Sequence, residues 1–168
     1  MNLIVAVDEN WGIGYLGKIQ WNIKEDMTYF KNKTLNKTII MGRKTLDSFK
    51  NGRPLKNRQN IVLTKDNEFK RDEVFIVHSV EQAIEKVSLM NPDEVYIIGG
   101  QSIYEAFLPY CEKAFVTKVH GIFKADKYFL NLDQSENWIL VHESDRLLTQ
   151  SGVHITFCEY KRKKDEEC

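Results

Sequence analysis

Short runs of β-branched and other apolar residues recur along the chain at Leu3–Val7, Thr38–Met41, Asn60–Leu63, Val74–Val77, Glu94–Ile98, Ala114–Val119, Trp138–Val141 and Val153–Glu159. Each is of strand length. The first five are nearly continuous in apolar character, the signature of strands covered on both faces of a parallel sheet. Segments with helical spacing of apolar positions separate them at Ile23–Thr34, Arg43–Phe49, Val80–Met90 and Ser102–Leu108. Strand alternating with helix predicts an α/β fold with right-handed crossovers, built on a central, mostly parallel eight-stranded sheet flanked by about four helices. No helical pattern lies between the last two strands. An antiparallel hairpin is therefore expected to close the sheet, with the C-terminal strand antiparallel.

Two connections are longer than turns require. One runs from Asp8 to Asn22 and holds Gly12, Gly14 and Gly17; the other contains Asn51-Gly52-Arg53-Pro54. Long glycine-containing loops in compact α/β domains are either binding loops or plain surface excursions.

Composition narrows the class. With 168 residues, 42% of them hydrophobic and 29% charged, the chain is expected to be one soluble globular domain over residues 1–168. Lys plus Arg and Asp plus Glu both number 24, which argues against a sequence-independent nucleic-acid binder. The early apolar run Leu3–Val7 is too short for a signal-peptide core or a membrane span, so no membrane association and a cytoplasmic location are expected. Cys111, Cys158 and Cys168 are widely spaced and odd in number, which fits neither a disulfide framework nor a zinc site. The four histidines lack metal-ligand spacing and read as structural, so no metal is expected. Residues 161–168 mix both signs of charge and read as a solvated C-terminal tail.

Candidate chemistry begins at the first helix. Asn22 is placed to cap it, with Glu25 three residues on. At 100° per residue, Ile23, Met27, Phe30 and Thr34 form its apolar stripe, and Asp26 falls only about 40° from Phe30. A carboxylate at the edge of an apolar face is either a first-turn aspartate favoured by the helix dipole or an anchor for a ligand with paired N–H donors. Thr38–Met41 runs into Gly42-Arg43-Lys44-Thr45, where free helix N–H groups and basic side chains suit an anion. Thr64-Lys65 ends the next strand in the same style. If those strands are parallel neighbours, the two ends form one phosphate site, and its basic groups favour NADP over NAD. Gly99-Gly100 after the fifth strand allows close approach of a ligand to the backbone.

Taken together and in order, these residues resemble dihydrofolate reductase in its short bacterial form, over almost the whole chain. The resemblance is carried by Ile13-Gly14, Gly17 and Trp21; Asp26 and Phe30; Ile40 to Thr45; Gly52-Arg53-Pro54-Leu55; Arg58-x-Asn60; Ile98-Gly99-Gly100 with Tyr104; Thr117; and Asp126-x-x-Phe129. It implies reduction of 7,8-dihydrofolate to tetrahydrofolate, with hydride passing from NADPH to C6 and a proton added at N5. Asp26 would be the catalytic carboxylate, with Trp21 beside it and Thr117 supporting it through water. Val5, Ala6, Met27, Phe30, Arg58 and Ile98 would bind substrate, Arg58 pairing with the glutamyl α-carboxylate. Ala6, Ile13, Gly14, Gly42, Arg43, Lys44, Thr45, Leu63, Thr64, Lys65, Gly99, Gly100, Gln101, Ser102, Ile103 and Tyr104 would bind NADPH, with a cis Gly99–Gly100 bond. The loop from Gly14 to Trp21 would close over the nicotinamide, antifolate inhibitors would compete with dihydrofolate, and the chain would be a monomer.

The chain departs from the family pattern at a few places. Gln20, Thr38 and Leu130 stand where prolines are usual, and Lys50-Asn51 resembles a small insertion. Two other readings keep the basic turns: a reductase of another heterocycle on the same fold, such as a pyrimidine ribitol reductase, and a non-catalytic nucleotide-binding module. Neither needs the set Trp21, Asp26 and Arg58.

Overall fold

The computed structural model describes residues 1–164. Its strands are β1 (Asn2–Val7), β2 (Gly12–Gly14), β3 (Thr38–Gly42), β4 (Gln59–Leu63), β5 (Phe75–Val77), β6 (Val95–Gly99), β7 (Lys113–His120), β8 (Lys127–Tyr128), β9 (Trp138–Glu143), β10 (Leu147–Leu148) and β11 (His154–Arg162). The helices are α1 (Lys24–Thr34), α2 (Arg43–Ser48), α3 (Val80–Val87) and α4 (Gln101–Phe107).

Nine strands form the main sheet, where eight were expected, in the order β10-β11-β7-β1-β6-β3-β4-β5, with β9 also on β11. All eight apolar runs are strands of it. The ninth is the two-residue β10, too short to leave a periodic signal. A separate two-stranded sheet joins β2 to β8. The strands from β7 through β1, β6, β3 and β4 to β5 pair in parallel, and β11 runs antiparallel to β7. The last two predicted strands, β9 and β11, pair antiparallel with a bulge at Glu159/Tyr160, but β10 intervenes and also pairs with β11, so the expected simple hairpin is a three-strand arrangement.

Alternation along the central strands divides the interior in two. Leu3, Val5, Val7, Ile40, Ile61 and Ile97 face one way, against Ile103, Tyr104 and Phe107 of α4. Ile4, Ile39, Met41, Val62, Tyr96 and Ile98 face the other way, against Leu46 of α2 and half-buried Tyr29 and Phe30 of α1. Both faces are covered, which is why these strands read as unbroken apolar runs.

Several local expectations need correcting. Helix α1 starts one residue later than predicted: its N-cap is Ile23, with no side-chain cap, and exposed Asn22 takes no part. Met27 was placed on a buried stripe and is 61% exposed, because that part of the helix faces an open cleft. The tail begins later than expected. Lys161 and Arg162 are in β11, with the Arg162 Nε donating to the Cys111 carbonyl at 2.8 Å and its guanidinium over the Trp138 ring. Residues 165–168, with Cys168, lie outside the described residues.

The long Asp8–Asn22 connection is tied at its base. Buried Asp8 accepts backbone N–H bonds from Asn10, Gly12 and Phe123 at 2.8–3.0 Å, joining this loop to the segment after β7. Beyond Gly14 the loop folds back as a Tyr15–Lys18 hairpin, with positive φ at Leu16 and Gly17 as a two-residue reverse turn requires. The Asp126 carboxylate accepts from the Leu16 N–H at 3.1 Å.

Candidate active site

From β1 the chain crosses through α1 to β3, and from β6 it crosses through α4 to β7, in opposite directions along the sheet. The connections part over the β1–β6 junction, and a crevice opens where ligands bind in open α/β sheets. A cleft of about 570 Å³ occupies that place. Its floor is Ile4, Val5, Ala6 and Ile98; one wall is α1 with Asp26, Met27 and Phe30; the other carries Phe49, Leu55 and Arg58.

Asp26 is half-buried in this apolar setting. Thr117 stands on β7 opposite Ala6 of β1, and its hydroxyl donates directly to the Asp26 carboxylate at 2.7 Å. The expected bridging water is not needed for this contact. Burial pushes the Asp26 carboxyl above its ordinary value of 3.8, and the Thr117 hydrogen bond pulls the other way. Trp21 lines the same cleft and meets Phe123 edge-on, with centroids 5.3 Å apart.

Arg58 sits half-buried at the rim. Its Nε donates to the Lys56 carbonyl at 2.9 Å and an Nη to the Thr34 hydroxyl at 3.4 Å. Buried Asn60 explains how it is held there. The Asn60 amide donates to the carbonyls of Leu55 and Arg58 and accepts from the Leu55 N–H, all at 2.9–3.0 Å, so one side chain closes the 55–58 turn.

The residues expected at the cofactor divide differently. Ala6, Thr45 and Tyr104 line the cleft. Gly42 of β3 pairs with Leu63 of β4, so Gly42–Thr45 and Thr64–Lys65 do emerge side by side at the carboxyl edge. Gly99 lies beside Met41 in the same row, and the Gly99–Gly100 peptide is cis. Lys44, Lys65 and Ser102 are exposed there, and Gln101 is half-buried. Arg43 is engaged by acids, with its guanidinium 3.0 Å from Asp66 and 3.6 Å from Asp47. Ile103 packs behind Gly42, and half-buried Leu63 and Ile13 pack against the core on one side. Gly14 belongs to the small β2–β8 sheet.

A model of the dihydrofolate reductase family matches residues 1–162. The chain belongs to the dihydrofolate reductase family. It is 38% identical over 170 residues to the dihydrofolate reductase of Bacillus subtilis, covering 99% of this chain and 97% of that one. To the Staphylococcus haemolyticus enzyme it is 45% identical over 129 residues, 77% of this chain and 75% of that one. A solved dihydrofolate reductase from Enterococcus faecalis, complexed with NADP(H) and RAB-propyl, superposes with a TM-score of 0.87 at 29% identity, covering 97% of this chain and 96% of that one.

Within this reductase, Asp8 and Asn60 carried no role in the sequence reading, and Tyr104 carried a different one. Asp8 looked like an ordinary loop acid. Asn60 stood in a matching motif but had no task until the 55–58 turn was seen. Tyr104, expected at the cofactor, is buried, and its hydroxyl lies 2.8 Å from the carbonyls of both Ile4 and Ile98, where β1 and β6 meet.

The Thr117 contact makes a prediction. Thr117→Val removes the hydrogen bond that lowers the Asp26 pKa and leaves the burial that raises it. The acidic limb of the kcat/KM pH profile should therefore move to higher pH, with turnover reduced by about tenfold at neutral pH. An unmoved limb would show that the hydroxyl does not tune the carboxyl.

Proposed function

We propose that this chain reduces 7,8-dihydrofolate to 5,6,7,8-tetrahydrofolate with NADPH, supplying one-carbon metabolism. The observation that carries the reading is the Asp26 carboxylate, set in an apolar cleft at the sheet's switch point and oriented by Thr117. A lone carboxylate there matches the paired N–H edge of a pterin, the 2-amino group and N3.

The residues at the carboxyl edge fit the cofactor. A Cβ at Gly42 would meet Ile103 at 3.1 Å and one at Gly99 would meet Tyr104 at 3.0 Å, so glycine lets these buried side chains of α4 pack directly against both strand ends. Arg43, Lys44, Thr45, Thr64 and Lys65 would hold phosphates, with Gly100, Gln101 and Ser102 at the α4 terminus. When bound, NADPH supplies the hydride that C6 accepts.

The chain's own residues do the rest. Asp26 binds and orients the pterin and favours, by its charge, the tautomer that accepts a proton at N5, while solvent delivers that proton. Trp21 and the 14–21 loop exclude bulk water from the nicotinamide side. Met27 and Phe30 pack on the rings, which explains an exposed methionine on an otherwise ordered helix. Arg58 pairs with the glutamyl carboxylate through its planar fork. Diaminopyrimidine antifolates would present the same paired N–H edge to Asp26. The enzyme would work in the cytoplasm as a monomer.

The deciding assay is loss of absorbance at the NADPH band on adding dihydrofolate to the purified protein. A rapid fall is expected, with a much slower one for NADH. No fall, with NADPH still bound by fluorescence quenching, would move the substrate to another heterocycle. Arg58→Gln should raise the KM for dihydrofolate by about tenfold to a hundredfold while changing kcat little, because a charge-assisted pair remote from the reacting atoms is lost. An equal fall in kcat would count against this role.

A further inference from the structure

Asp8 follows β1 just beyond Ala6 of the cleft floor and is 3% exposed. A buried carboxylate needs donors, and here the three donors are backbone N–H groups. Oδ1 accepts from Asn10 at 2.9 Å and from Gly12 at 2.8 Å, while Oδ2 accepts from Phe123 at 3.0 Å. Asp8 does not line the cleft, and no step of the reduction calls on it.

The two oxygens serve different segments. Oδ1 holds the incoming limb of the first loop, where Gly12 begins β2. That limb lies tight against the segment after β7. The Glu9 N–H donates to the Gly121 carbonyl at 3.0 Å, and a Cβ on Gly12 would lie 2.7 Å from that of Ala125. Oδ2 holds Phe123 on that segment. The Phe123 ring in turn meets Trp21 edge-on, with 5.3 Å between centroids, and both rings pack with buried Ile23, Val119 and Ile155. Trp21 is the outgoing limb of the same loop. One carboxylate therefore reaches both ends, Gly12 directly and Trp21 through Phe123. The Tyr15–Lys18 hairpin hangs between these two fixed points.

We propose that Asp8 is a positioning residue for hydride transfer: it fixes both limbs of the loop that closes the cleft, and with them the place of Trp21 in the cleft wall. The inference rests on the reductase reading above and adds a residue that touches neither substrate nor cofactor. Reacting atoms must be brought within about 3–3.5 Å of each other, so a small displacement of the walls is felt in the rate more than in the affinities.

Asp8→Asn separates the two oxygens. The amide oxygen can keep Asn10 and Gly12, but the amide NH2 then faces the Phe123 N–H, two donors without an acceptor. Trp11 and Trp138 are buried and Trp21 is half-buried, so acrylamide quenching of tryptophan emission reports chiefly on Trp21 in the free protein. Quenching should rise by about twofold and single-turnover hydride transfer should slow by about tenfold, with NADPH and dihydrofolate dissociation constants within about threefold of the wild type. Phe123→Leu keeps the backbone bond and loses the aromatic edge. It should raise quenching likewise and slow transfer by about threefold. The double variant should be within about twofold of Asp8→Asn alone, because both changes cut one path. A lower Tm with quenching and transfer unchanged would assign Asp8 to folding alone and overturn the proposal, as would fully multiplicative rates in the double variant. Unchanged transfer in Phe123→Leu would overturn it even if Asp8→Asn failed to fold. No NADPH oxidation by the wild-type protein would overturn the reductase reading and this proposal together, whereas an active wild type with equally active variants overturns the proposal alone.

Discussion

Asp26→Asn is expected to lower turnover by about a hundredfold or more while making the protein more stable at neutral pH. Turnover falls because the amide keeps a hydrogen-bond acceptor toward Thr117 but carries no charge to favour protonation at N5. Stability rises because the native carboxylate is ionised in an apolar cleft. Burial raises its pKa in the fold, so the folded state holds the proton more tightly than the unfolded one. Below the ordinary carboxyl value both states are protonated and ionisation costs nothing. As pH rises from that value through the raised folded value, the folded state is progressively penalised, and the full cost remains above it. Each tenfold difference in proton affinity is worth about 1.4 kcal/mol. For a chain of this size 1 kcal/mol moves Tm by about 2–4 °C. Thermal melts of both proteins from pH 4 to pH 8 check this: the Asn variant should gain on the wild type as pH rises. A gap that shrinks with pH would reverse the sign and refute the assignment of burial as the main cause.

Gly99→Ala is the second large effect, acting on the frame of the site. Gly99 has φ +115°, where L side chains are strained, and a Cβ there would lie 3.0–3.1 Å from the Tyr104 ring carbons and hydroxyl. Tyr104 cannot yield cheaply, because it is buried and its hydroxyl is held between the Ile4 and Ile98 carbonyls. Backbone strain and a forced shift of that ring should together cost about 2–4 kcal/mol and lower Tm by about 5–15 °C. NADPH affinity should fall by more than tenfold, since β6 ends at the cofactor edge. Gly152→Ala, in the turn before β11, is the control. Its φ of +86° is also left-handed, but nothing lies within 4 Å of the added carbon. It should cost about 1 kcal/mol and leave NADPH affinity unchanged. Similar melts for the two variants would show that the close approach to Tyr104 is not what demands glycine at position 99.

Much of this was legible in the chain because the controlling interactions are local or periodic. The Asp26 carboxylate could be placed on the edge of an apolar face from helical spacing alone. The adjacency of Gly42–Thr45 and Thr64–Lys65 could be posed as a condition, and the β3–β4 pairing satisfies it. Met27 is the instructive error. Helical spacing correctly put it on the face with Phe30, but an apolar residue toward a cleft and one toward the core have the same period. Arg43 shows the converse: its charge was read as free for phosphate, and Asp66, 23 positions on, takes part of it.

The sequence by itself determined the eight principal strands, the four helices, the family, and the carboxylate on which the chemistry turns, because side-chain period and short motifs are written along one dimension. Only the tertiary structure decided the contacts between distant segments. Thr117 reaches Asp26 across 91 positions, Asp8 ties down a loop by way of Phe123, and His78 is held by Thr64. These contacts follow from β7 lying beside β1 and β5 beside β4, which brings the ends of those strands to a shared edge. Strand order minimises the free energy of the whole sheet and its helices, so no local pattern in the chain records it.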